Sequence, residues 1–149
     1  MEERVEILVK YLDTSIIVSL LAFEETTPSA VGWLGQQPAG SLASSLWLEA
    51  ELSSALARKL RTGRLTAAER EQCQLRFRTD VVPALLMVDI DRESFELTAA
   101  ICDRHEAGIR SGDALHLAIA AGHGMTLCTF DRVLAKGAAQ LGYAVELIA

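Results

Sequence analysis

Apolar and polar positions run along this chain in blocks that alternate between the lengths of short strands and of helices. Val5-Glu6-Ile7-Leu8-Val9-Lys10 is aliphatic and β-branched and reads as a buried strand. Ile16-Ile17-Val18-Ser19-Leu20-Leu21 follows as an apolar helix, with Tyr11-Leu12-Asp13-Thr14-Ser15 between them. Thr27-Pro28 supplies an N-cap and a first-turn proline for a helix through Trp33 and Leu34 that stops near Pro38. Ser41 to Ser45 is a short small-residue strand. Leu48, Leu52, Ala55, Leu56 and Leu60 then recur at helical spacing, predicting a helix over 46–60 that Gly63 ends. Thr66-Ala67-Ala68-Glu69 has the capping-box pattern and opens a helix to about Arg78. Leu85 to Val88 is a third strand after Pro83. Asp91 caps a helix carrying Phe95, Leu97 and Ile101 that ends near Gly108. Ser111-Gly112-Asp113 opens a small-residue helix through Ala121. Met125 to Cys128 is a fourth strand, 131–141 a helix closed by Gly142, and 143–148 a last strand.

Strands and helices in strict alternation, with short joins, predict an α/β domain: a central, mainly parallel sheet covered by helices on both faces. The 149 residues suit a single domain, 1–149. Half the residues are apolar, yet no uninterrupted run approaches the ~20 that a membrane helix needs. Met1-Glu2-Glu3-Arg4 lacks the cationic start of a signal peptide, so the expected location is the cytoplasm. Cys73, Cys102 and Cys128 are odd in number and widely spaced, which argues against a disulfide framework or a zinc site and for small core residues. The net charge of −6 counts mildly against a nucleic-acid binder, although a carboxylate cluster that holds a cation exaggerates the formal value.

Four acids stand where strands or helix starts meet a common sheet edge. Asp13 follows the first strand, Glu51 lies in the first turns of the helix after the second, Asp113 opens the small-residue helix, and Asp131 follows the fourth strand in Thr129-Phe130-Asp131. Read alone, Asp13 is the N-cap of the helix after it. Ligands in open α/β sheets bind at the carboxyl ends of strands, where carboxylates brought together need a counter-charge. Hard divalent cations take such oxygen ligands and can activate a water beside a phosphodiester.

The ordered set of Tyr11-Leu12-Asp13-Thr14-Ser15, Ser45 with Glu51-Leu52 six residues on, Ser111-Gly112-Asp113-Ala114-Leu115-His116-Leu117-Ala118 and Thr129-Phe130-Asp131 resembles the PIN-domain family. Within that family it looks like the VapC-like toxins of type II toxin–antitoxin pairs. The resemblance spans residues 8 to 148 and implies a PIN-like three-layer α/β/α domain. It implies an endoribonuclease dependent on Mg²⁺ or Mn²⁺, acting on single-stranded or looped RNA, with tRNA and rRNA as candidate targets. It further implies a homodimer inhibited by a cognate antitoxin. Carried over residue by residue, Asp13, Glu51, Asp113 and Asp131 are the catalytic, metal-binding carboxylates, and Thr14 and Thr129 support them through their hydroxyls. Residues 1–5 form an N-terminal extension relative to many members, the acidic charge leaves the RNA path open, and Glu49 crowds the position given to Glu51.

Other assignments compete. His116 lies three residues after Asp113 but within Ala114, Leu115, Leu117, Ala118 and Ile119, so it reads as a core imidazole rather than a ligand. Arg58, Lys59, Arg61 and Arg64 read as a solvated helix end, with RNA phosphate contact as the alternative. Ile16, Leu20, Leu21, Trp33 and Leu34 are either core or the anchors of a groove for an antitoxin helix. The runner-up activity is a haloacid-dehalogenase-type phosphatase, which wants a second carboxylate two residues after the first, where Ser15 stands. A catalytically silent PIN-like binding module would leave the acid cluster unused.

Overall fold

The computed structural model describes residues 8–149, so the extension at 1–5 and the start of the predicted first strand lie outside the described residues. Five strands form one sheet: β1 (Lys10–Leu12), β2 (Leu42–Ser44), β3 (Leu86–Met87), β4 (Thr126–Thr129) and β5 (Val145–Leu147). Their order is β3-β2-β1-β4-β5 and every pairing is parallel. Seven α-helices lie among the described residues: α1 (Thr14–Leu21), α2 (Thr27–Gly35), α3 (Leu46–Arg61), α4 (Ala67–Arg76), α5 (Arg92–Asp103), α6 (Ser111–Gly122) and α7 (Arg132–Gln140). None of the described helices is long and apolar enough to cross a membrane.

The pleat of the central strand divides the core. Leu12, on one face of β1, packs with Ile16, Leu48, Leu52, Cys73 and Phe77. Tyr11, on the other, packs with Ile101, Leu115, Leu117, Leu127 and Leu134. Helices therefore cover both faces. The chain lays down β1, β2 and β3 towards one edge and then returns to place β4 on the opposite side of β1. The crevice between the ends of β1 and β4 is the topological switch point where ligands of such sheets bind.

Several local expectations shift by a residue or more. β1 runs over Lys10–Leu12 rather than ending at Lys10, because it is Lys10, Tyr11 and Leu12 that find ladder partners on β4, at Thr126, Leu127 and Cys128. The N-cap of α2 is Thr26, not Thr27; the Thr27 hydroxyl instead donates to the Ser19 carbonyl and accepts from the Glu24 amide. The helix from Thr66 has its full capping box but gives way after Arg76 to a π-helical turn over Phe77–Val81, which turns Phe77 and Val81 into the core. Cys73 and Cys128 are buried, whereas Cys102 is only half-buried. Of the apolar residues on the first two helices, Ile16 and Leu21 are core, while Leu20 and Leu34 line an apolar hollow with Val31 and Leu85.

α7 closes against the segment before α6, and Gly137 makes that approach possible. A Cβ there would stand 2.7 Å from the Ala107 carbonyl oxygen and 2.8 Å from Ile109 Cγ1. Gly137→Ala is expected to destabilise the fold by about 2 kcal/mol through overpacking, read as a lower thermal midpoint.

Candidate active site at the switch-point crevice

Asp13 leaves β1 directly into α1 and is 3% exposed. It caps the helix, as an Asp between a strand and an apolar helix should, its Oδ1 accepting from the Ser15 amide at 3.1 Å and the Ser15 hydroxyl at 2.6 Å. Its Oδ2 accepts from the hydroxyl of Thr129, the last residue of β4. Burial pushes the Asp13 carboxyl above its ordinary value, and the bonds from Ser15 and Thr129 oppose that without cancelling it.

The same hydroxyls tie Asp131 to the site. Thr129 Oγ1 accepts the Asp131 amide at 2.9 Å, and Ser15 Oγ accepts the Phe130 amide at 3.2 Å. Asp131 in turn caps α7, its Oδ1 receiving the Leu134 amide at 3.0 Å. Two strand-to-helix junctions on either side of the crevice are thus joined through Thr129 and Ser15.

Glu51 reaches the crevice from the second turn of α3. Its Oε1 accepts from Thr14 Oγ1 at 2.6 Å and meets His116 Nε2 at 2.6 Å. Burial raises the Glu51 carboxyl, but the bonds from His116 and Thr14 and the proximity of His116 outweigh it, holding the group below its ordinary value. Trp47 Nε1 donates to the Gly112 carbonyl at 3.0 Å, drawing the starts of α3 and α6 together. A Cβ on Gly112 would stand 3.0 Å from Glu51 Oε2, so the bare glycine lets that carboxylate lie against α6. Glu49, on the same helix, is exposed.

Asp113 lies one residue further along α6. Burial first, then the negative charges of Asp131, Asp13 and Glu51, push its carboxyl up to about 6. The four acids therefore share one electrostatic neighbourhood.

His116 is buried as its sequence reading expects, with more partners than that reading foresees. It is fully buried, but as a junction rather than an isolated core imidazole: Nδ1 meets the Tyr11 hydroxyl at 2.7 Å and Nε2 meets Glu51 Oε1. Tyr11 lies 2.7 Å from the Ser45 hydroxyl. Thr14 gives its one proton to Glu51, so the Glu51-facing nitrogen of His116 supplies the hydrogen of its own contact with that carboxylate. Ser45, Tyr11, His116 and Glu51 thus form one continuous chain of polar contacts. Sequence reasoning does not single out Tyr11, Ser15 and Ser45 as site residues, although all three fall inside the motif stretches.

The donor set fits a hard cation. Its charged members are carboxylates, burial and their mutual repulsion push Asp113 up, and among the described residues no hydrogen bond reaches Glu51 Oε2. Among the described residues, no three His, Cys, Asp or Glu side chains converge tightly enough to enclose an ion. A hard cation bound here would take few carboxylates directly and keep several waters.

Comparison with known proteins agrees with this architecture. The family model described as PIN domain matches residues 10–140. No curated protein matches the chain. Among solved structures, FitAcB from Neisseria gonorrhoeae is 22% identical with a TM-score of 0.70, over 92% of this chain and 96% of that one. VapBC2 from Rickettsia felis, bound to a DNA fragment from its promoter, is 17% identical with a TM-score of 0.67, over 95% and 100%. Mycobacterium tuberculosis VapC20, described as a sarcin–ricin loop cleaving toxin, is 16% identical with a TM-score of 0.67, over 90% and 95%. At these identities the likeness is one of fold.

Proposed function

The chain belongs to the PIN domain family, and from that premise we propose that it is an endoribonuclease dependent on Mg²⁺ or Mn²⁺ and the toxin of a type II toxin–antitoxin pair. The observation that carries the reading is the meeting of Asp13, Glu51 and Asp131 at the switch-point crevice, tied in by Thr14, Ser15 and Thr129, with the Asp113 carboxyl raised by burial and by their charges. Similarity in fold to a toxin–antitoxin complex from Klebsiella pneumoniae and to a member of the VapBC family of toxin–antitoxin systems supports a cognate antitoxin as partner. A homodimer is proposed with it.

In this reading Asp13, Glu51, Asp113 and Asp131 would hold the cation, in part through its waters, and the bound cation would supply an activated water and neutralise charge developing on the phosphodiester. Thr129 and Ser15 fix Asp13 and leave it no freedom to rotate. Thr14 and His116 saturate Glu51 Oε1 and leave Oε2 as the free acceptor at the crevice. The phosphatase alternative is disfavoured by Ser15, which stands where that chemistry needs an acid and instead donates to Asp13. The family match runs against it as well.

Purified protein is expected to cut RNA with Mg²⁺ or Mn²⁺ and to stop in EDTA. Full cleavage in EDTA, or phosphomonoester hydrolysis without RNA cleavage, overturns the reading. Thermal melting gives a readout free of turnover. Asp113 binds its proton more tightly folded than unfolded, so without a cation stability falls as pH rises from the ordinary 3.8 towards 6 and stays lower above it. A cation replaces that proton. Mn²⁺ should therefore raise the melting temperature more at pH 7.5 than at pH 5.

A further inference from the structure

The crevice does not end at the carboxylates. Beyond Glu51 a second hollow adjoins it along α3, sharing Glu51 and Ala55 and lined further by Arg58 and Thr62, so that together they form a trough. Glu51 and Arg58 are seven positions apart, two turns along one face and roughly 10 Å. Arg64, from the loop after α3, lines the same stretch, and the trough opens past it onto Phe23, in the turn between α1 and α2.

The charges are unequally matched. Lys59 is held by Glu24 at 2.7 Å, so that pair is internally neutral. Among the described residues, Arg58 and Arg64 have no acidic partner within ion-pair distance; Glu25 at the Phe23 end has no basic one. Between Glu51 and Phe23, two exposed and unpaired guanidiniums meet one unpaired carboxylate, an excess of positive charge on a chain whose net charge is −6. Phe23 is 90% exposed, more than any other large apolar side chain among the described residues. An aromatic face in water beside the free guanidinium of Arg64, with Arg58 between it and the carboxylates, is the combination that tracks a single strand: cations follow the phosphates and the ring stacks on a base.

Resting on the nuclease reading above, we infer that this trough is the path of single-stranded RNA leading from the cut, with Arg58 and Arg64 on phosphates and Phe23 stacked on an unpaired base. A strand that enters this way lies along α3 with its flanking nucleotides at the Phe23 end. A duplex has no free base face to offer Phe23.

The test uses full-length Asp13→Asn protein in Mg²⁺, so that binding is read without cutting, and a fluorescein-labelled unpaired decaribonucleotide. Phe23→Ala is expected to raise Kd about tenfold, and Phe23→Trp, which keeps a stacking face, to stay within about twofold. Arg58→Gln with Arg64→Gln should raise Kd and flatten the dependence of log Kd on log salt by roughly 0.7 for each phosphate no longer neutralised. The same strand annealed to its complement should bind Phe23→Ala as well as it binds the Phe23 protein. Unchanged Kd in Phe23→Ala, a Phe23→Trp as weak as the alanine variant, or an unchanged salt slope overturns the path. If the unsubstituted protein cuts RNA while these variants bind normally, only the path falls. If it cuts no RNA with either cation, the nuclease reading falls with it.

Discussion

Asp13→Asn is expected to lower RNA cleavage by about a thousandfold while the protein remains folded. The expectation follows from what the substitution keeps. An asparagine side chain at this position retains an oxygen for the Ser15 amide and hydroxyl, so the cap of α1 survives. Its amide turns towards Thr129, whose oxygen already accepts from the Asp131 amide, and the only bond lost is the one Thr129 donates. The buried site also loses a charge that burial disfavours. These effects oppose one another, and the melting temperature should stay within about 4 °C of the parent. The site loses a carboxylate at its deepest point, and an absent charge there removes several kcal/mol of cation and transition-state stabilisation. Assay of RNA cleavage beside a thermal melt checks both halves. An active Asp13→Asn protein excludes Asp13 as a metal-binding carboxylate.

Asp13 is legible in the sequence because its neighbours constrain it from both sides: an extended apolar run must end where an apolar helix begins, and a carboxylate at that joint falls on the sheet edge. Asp131, placed the same way after β4, is legible for the same reason. The pattern does not say that β1 and β4 are neighbours, since that depends on where the chain reverses the sheet order. The family resemblance supplies it. His116 shows the limit more sharply. Small apolar residues on every side give its segment the pattern of a buried helix, and buried it is, but its partners Tyr11, Thr14 and Glu51 come from β1, α1 and α3. Long-range crossings of this kind leave no local period. Phe23 escapes a sequence reading for the opposite reason: one aromatic in a short turn carries no periodicity, and only its exposure beside Arg64 makes it conspicuous.

Glu51→Gln is expected to reduce cleavage by about a hundredfold and Glu49→Gln by less than about twofold. Helical periodicity does not separate the two acids, since the apolar stripe of α3 passes through Leu52, Leu56 and Leu60 with Glu51 at its border. The structure leaves Glu49 exposed in the first turn, where the helix dipole favours an acid whatever its other role. Glu51 instead meets Thr14, His116 and the open face of Gly112. A glutamine in its place can still accept from Thr14 and His116 through its carbonyl oxygen, so the chain of contacts through Tyr11 to Ser45 holds. Its amide nitrogen then stands where Oε2 was, a donor in place of the free acceptor. Because Glu51 is held below its ordinary 4.5, its ionised form contributes stability above that pH and loses it as pH falls through the folded value. The Glu51→Gln protein lacks this contribution, so the gap between its melting temperature and that of the parent should narrow on acidification. Mn²⁺ should also stabilise Glu51→Gln less than it stabilises Glu49→Gln at pH 7.5, a comparison that does not depend on turnover. An inactive Glu49→Gln beside an active Glu51→Gln would transfer the role to Glu49 and leave Asp13, Asp113 and Asp131 to be judged on their own variants.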